Sequence, residues 1–174
     1  MEQVRIGIIG GSGLGQALAE EVGGEEVTVQ TPFGKASGPI LLTHWAGADI
    51  AFLSRHGPGH VYNPSTVPYR ANIFALKKLS VTHILASGAT GSLREAFAPR
   101  DLVICDQVID KTFKRASTFF DGGIVAHVEL AEPFCPKLRS LLIEAADKLG
   151  AKVHPTGTYV CMAVSYTHLR AHET

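Results

Sequence analysis

Short apolar runs, each closed by turn residues, recur along the whole chain and leave few architectures open to it. They read VRIGIIG (4–10), ILLTH (40–44), IAFLS (50–54), HILAS (83–87), LVICDQVI (102–109) and TYVCM (158–162). A run this short, apolar without alternation, suits a strand buried on both faces. Two intervening stretches follow the helical period instead, one over 67–79 and one starting near Pro136. In the second, Leu138, Leu141, Leu142, Ala145 and Leu149 repeat at helical spacing, Pro136 suits a first turn and Gly150 stands at the C-terminal cap. Strands apolar on both faces need helices above and below. The expected class is therefore α/β, a mixed β-sheet flanked by helices, in one domain over residues 1–162. The stretch 111–125, with its KRASTFFDGG, reads as a long loop.

Charge narrows the choice of partner. Sixteen basic and sixteen acidic residues cancel, and neither sign is concentrated in any segment. The footprint of a nucleic-acid or acidic-membrane binder is absent, so the ligand is expected to be small. No apolar run approaches the length of a membrane span, and the first strand begins without a basic leader, which points to a cytoplasmic protein. Cys105, Cys135 and Cys161 are odd in number and lack C-x-x-C spacing. Neither a disulfide framework nor a metal site is indicated, and each reads as a small core residue.

In open α/β sheets ligands gather beyond the carboxyl ends of strands. Three loops qualify. The first, GIIGGSGLGQ (7–16), surrounds Ser12 with glycines whose free backbone N–H groups can hold an anion. It fails the dinucleotide pattern G-x-G-x-x-G, because Gln16 or Leu18 occupies the final position, and it fails the hydrolase elbow at Leu14. Phosphate remains, beside the plainer reading of a tight strand-to-helix turn. The second, RHGPGH (55–60), brings a five-donor guanidinium and an imidazole out of an apolar strand along a path held by Gly57, Pro58 and Gly59. Arg55 and His56 are the candidate anion ligands, and His60 reads as a supporting residue. The third, ASGATGSLRE (86–95), is a small, donor-rich platform on which a sugar could lie, or simply a small-residue turn.

IGIIGGSGL, TPFGK, RHG, the pattern P-S-x-V-x-Y-x-A-N-I-x-A-L (64–76), GSLRE, DQVID and AEPFCP follow in that order over residues 5–162. In these the chain resembles the trimeric purine nucleoside phosphorylases, most closely the 5'-methylthioadenosine phosphorylases. The resemblance implies that inorganic phosphate attacks the sugar of a purine nucleoside, with phosphate as co-substrate, no cofactor and no metal, in a homotrimer. By position, Ser12, Arg55 and His56 would bind phosphate, and Gly88 with Ala89 would complete that site through the backbone. His127, in AHVELAEPF, matches a histidine that covers the nucleoside of a neighbouring subunit; a solvated loop histidine is the other reading.

Two departures stand out. At Gly88 the methylthioadenosine enzymes commonly carry threonine. After TYVCM the family continues towards its ribose and purine contacts and the loop that protonates the base, whereas this chain reads AVSYTHLRAHET (163–174). That tail resembles an appended, non-family sequence, and His168 and His172 in it are not taken as metal ligands. The fold is thus expected to be incomplete at its C-terminus and the chain as written to be inactive or poorly folded. Phosphorolysis of 5'-methylthioadenosine in nucleoside and methionine salvage is the leading expectation. Its rivals are a phosphorylase for inosine, guanosine or methylthioinosine, and a non-catalytic phosphate- or nucleotide-binding module.

Overall fold

The strand β1 (Arg5–Gly10) lies between two parallel neighbours, β6 (Ala48–Ser54) and β7 (His83–Ala86), in a sheet ordered β2-β5-β6-β1-β7. On the far side, β5 (Ile40–Trp45) pairs antiparallel with β6, and β2 (Glu25–Val27) antiparallel with β5. The sheet is therefore mixed, as the apolar runs imply. A small hairpin, β3 (Gln30–Thr31) with β4 (Gly34–Lys35), follows β2. These elements belong to the computed structural model of the chain, which describes residues 4–11, 20–113 and 115–162.

The consecutive apolar residues of β6 are explained by two cores rather than one. Ala51 and Leu53 point to one face, where they pack with Ile9, Ile40, Val81 and the helix residues Ala75 and Leu76. Ile50 and Phe52 point to the other and pack with Leu41, Ile6, Ile8 and Val22. Strand side chains alternate by face, so a strand covered on both sides must be apolar at every position.

Helix α1 (Tyr69–Lys78) supplies the first cover. It starts two residues later than the 67–79 period suggests. Pro68 occupies the N-cap, and a residue preceding proline is driven out of the helical region, so Val67 cannot join. Its buried side is Ala71, Asn72, Ala75 and Leu76. Phe74 meets Phe33 of the hairpin edge-on at 5.6 Å, and Phe33 in turn meets Phe119 at 5.3 Å.

Contacts group the described residues into two compact units, one reaching to Ala89 and including Arg115–Phe119, the other comprising Thr90–Lys114 and the chain from Phe120 on. The second holds two parallel strand pairs, β8 (Leu102–Val103) with β10 (Val153–His154) and β9 (Gln107–Lys111) with β11 (Thr158–Met162), and helix α2 (Pro136–Lys148). The run 102–109, read as one strand, is thus two. Ile104 still donates to His154 O at 2.9 Å, but Asp106 then turns to accept the Gly157 N–H at 3.0 Å, and the chain passes to a new partner strand. A Cβ at 157 would lie 2.6 Å from Val103 Cγ1, so any larger residue there would force Val103 or the backbone to shift.

Two further expectations are corrected in this unit. The leucine stripe of α2 is not its buried face: Leu141 and Leu149 are 51% and 83% exposed, while Ala146 is buried. Arg139 lies along the covered side and donates to the carbonyls of Cys105 and Pro155, at 2.9 and 2.7 Å. Cys135 is exposed rather than a core residue, because it occupies the N-cap of α2 where the chain enters the helix from the surface. Cys105 and Cys161 are half-buried, and burial pushes the Cys105 thiol up. From 112 to 135 the described residues form no regular element, in keeping with the long loop read over 111–125, although Lys111 itself closes β9.

Asp101 ties β10 to the turn before β8. Its Oδ2 accepts His154 Nε2–H at 2.7 Å and lies 2.9 Å from Lys152 Nζ. The His154 bond, and after it the Lys152 bond, hold this carboxyl at about 2, against an ordinary 3.8. The unfolded chain therefore takes up the proton first. The contribution is complete above roughly pH 4 and disappears as pH falls towards 2. Asp101→Asn is expected to be less stable than the parent in urea unfolding near pH 6, with the gap closing by pH 2; a gap independent of pH would contradict this.

Candidate functional site

Because β6, β1 and β7 run parallel, their carboxyl ends stop side by side: Gly10 aligns with Ser54, and Ile9 with Ala86. Two backbone bonds carry the pairing one residue further, Arg55 N–H to Gly10 O and Ser87 N–H to Ile9 O, both 3.0 Å. The three loops singled out by sequence therefore leave one sheet edge together. There they border an open cavity of about 420 Å³, lined by Gly11 from the first, by Arg55, His56 and His60 from the second, and by Ser87, Gly88 and Ala89 from the third. That is within the ordinary size of a small-molecule site. Among the described residues no acidic side chain lines it.

Arg55 is steered by two bonds. Its Nε–H donates to His56 Nε2 at 3.3 Å and its Nη1 to the Ser87 carbonyl at 3.1 Å. A guanidinium has five N–H groups, so three have no acceptor among the described residues. His56 is oriented in turn: its Nδ1 lies 2.8 Å from the Tyr62 carbonyl, which can only accept, so the proton is on Nδ1 and the Nε2 lone pair faces Arg55. The ring of His60 stacks on that of His56, with centroids 4.6 Å apart and planes inclined by 11°. The turn at 57–59 makes this possible. Gly57 has φ +74°, and a Cβ on it would lie 2.5 Å from Ser37 O. The result is a fixed positive charge with unused donors, facing small residues across a cavity, which is the arrangement an oxyanion needs.

Arg55, His56, Gly88 and Ala89 are thus brought together. Ser12 lies outside the described residues, as does the whole tail 163–174 with His168 and His172, while its neighbour Gly11 lines the cavity. His127 is exposed and belongs to the second unit. His60, read as a supporting residue, stacks on His56 and also lines the cavity, brought there by the Pro58–His60 turn. Among the described residues, no group of three His, Cys, Asp or Glu side chains is placed to hold a metal.

Comparison with known proteins bears on the same edge. Residues 5–171 match the phosphorylase superfamily, a span that takes in all three loops. The chain belongs to that superfamily. It is similar to S-methyl-5'-thioadenosine phosphorylases of Thermococcus kodakarensis, at 49% identity over 91% of this chain, and of Cereibacter sphaeroides, at 52% over 90%. It spans 60% and 54% of those proteins' lengths. Among solved structures, this phosphorylase-superfamily chain superposes on a methylthioadenosine phosphorylase from an antarctic soil metagenomic library with a TM-score of 0.86 at 45% identity, covering 99% of this chain and 62% of the other. The Schistosoma mansoni methylthioadenosine phosphorylase gives the same TM-score at 36% identity, covering 98% and 69%. The α/β fold with its mixed sheet is the fold of these phosphorylases.

Proposed function

We propose that the whole protein phosphorolyses 5'-methylthioadenosine, giving adenine and 5-methylthioribose 1-phosphate, with inorganic phosphate as co-substrate and without a metal or cofactor. The observation that carries this is the Arg55 guanidinium, with three N–H groups that have no acceptor among the described residues, set in a cavity where three strand ends meet. The substrate is drawn from the relatives at about half identity, whose names specify S-methyl-5'-thioadenosine. The chemistry suits the site. As the bond from the anomeric carbon to the base breaks, its electron pair leaves with the base and positive charge builds on the sugar. A phosphate held below that carbon stabilises the charge and supplies the oxygen that forms the new bond.

In this reading Arg55 provides charge and a planar fork, His56 aims it, and the backbone at Gly88 and Ala89 completes the cradle with Ser12. A homotrimer in the cytoplasm, with His127 reaching a neighbour's nucleoside, belongs to the same proposal. Among the described residues no helix is long and apolar enough to cross a membrane. The test is adenine release by the whole protein from 5'-methylthioadenosine with and without phosphate. Release is expected only with phosphate; equal rates in its absence would sink the proposal.

Gly88 offers a gain-of-function check. A Cβ there would meet Arg55 Nη1 at 3.4 Å, an ordinary contact, and the backbone is not in the left-handed region. Gly88→Thr is therefore expected to place a hydroxyl beside the guanidinium and tighten phosphate binding by roughly 2- to 10-fold, the worth of one added hydrogen bond. Calorimetric titration with inorganic phosphate reads it directly.

A further inference from the structure

Ser37 and Asn72 are buried, at 4% and 3% exposure, and neither lines the cavity. A buried polar pair is costlier than an apolar pair of the same shape unless every group is satisfied. Here the bonds form a directed relay. Asn72 Oδ1 accepts the Ser37 N–H at 2.7 Å, and Asn72 Nδ2–H donates to Ser37 Oγ at 2.8 Å. The reverse amide orientation would set donor against donor, so the direction is fixed. With its oxygen already accepting from Asn72, the Ser37 hydroxyl has one proton to give, and gives it to the Arg55 carbonyl at 2.7 Å.

Arg55 is thereby clamped through both of its backbone polar groups, its N–H by Gly10 O and its C=O by Ser37. The neighbouring segments fit against each other just as closely. A Cβ on Gly38 would lie 2.7 Å from Pro58 Cδ, so 37–38 sit flush against the turn that follows His56. Asn72 itself stands on α1, whose Ala71, Ala75 and Leu76 are fully buried. The helix thus reaches the Arg55 backbone through one serine.

We infer that Ser37 and Asn72 are positioning residues for the anion site, holding the Arg55–His56 backbone at the angle from which the guanidinium meets phosphate. Neither touches the ligand. The inference rests on the reading of the Arg55 cavity as a phosphate site, and the controls separate the two. The whole protein and its variants are titrated with inorganic phosphate, followed by calorimetry and phosphorus NMR, well below each variant's thermal midpoint so that unfolding does not contribute. Ser37→Ala is expected to weaken binding roughly tenfold, and Ser37→Thr, which keeps the hydroxyl, to restore it to within about threefold. If Ser37→Ala does not fold, Ser37→Cys fills the same space with a weaker donor and is expected to show an intermediate loss. Affinity within twofold of the parent in the folded Ala or Cys variant, while Arg55→Met has lost binding, overturns the positioning role alone. No phosphate binding by the folded whole protein overturns the phosphate reading and the inference with it.

Discussion

Arg55→Met is expected to abolish measurable phosphate binding and to lower kcat/KM for phosphate in the whole protein by roughly 100- to 1000-fold, the range seen when one preorganised donor to a developing oxyanion is removed. Among the described residues the side chain supplies the only fixed positive charge in the cavity lining, and its two steering bonds there leave three donors for the ligand. Arg55→Lys keeps the charge and loses the fork, together with the Nε–H that bonds His56. It is expected to recover only part of the affinity. Titration of both variants with phosphate, beside initial rates against phosphate concentration, makes the measurement. A methionine variant with parental phosphate affinity would remove the physical basis of the proposed function.

The second large effect is on stability. Leu76 is fully buried where α1 meets the sheet, among Ile9, Ile40, Ala51, Leu53, Ala75 and Val81. Leu76→Ala is expected to cost about 2–5 kcal/mol, the lost transfer energy plus the cavity left behind. Trp45, the single tryptophan, lies on β5 of the same sheet, so its fluorescence in urea follows this unit. Leu93→Ala, at a side chain 94% exposed, is expected to change little, within about 0.5 kcal/mol. Equal costs for the two would show that the cluster around Leu76 is not the core.

The parts of this arrangement legible in the sequence were those written in local chemistry. Apolar runs marked β1, β5, β6, β7 and β11 closely, and in β6 the cause is visible, since its side chains are covered on both faces. The loops after β1, β6 and β7 followed from the rule that ligands collect at strand ends, and Arg55, His56, Gly88 and Ala89 came with them. What escaped depends on partners distant in sequence. The split between β8 and β9 is caused by Gly157 and Asp106 meeting across 51 residues. The exposed leucines of α2 have the right period and the wrong side, since Arg139 reaching Cys105 and Pro155 decides which side is covered. Ser37 and Asn72 look like any polar pair until a helix and a loop 35 residues apart are laid against each other.

The place of β1 between β6 and β7 has a consequence for synthesis. One of its neighbours, β7, begins only at His83. At ~5–20 residues per second a ribosome needs roughly 4–15 seconds to pass from the first strand to the last of this trio. Throughout that interval the nascent Ile-Gly-Ile-Ile segment keeps one apolar, hydrogen-bonding flank without its native mate, the kind of exposed edge on which wrong pairings start. Slower translation across residues 55–82 should therefore lower the yield of soluble chain, and a chaperone that shields extended apolar segments should restore it.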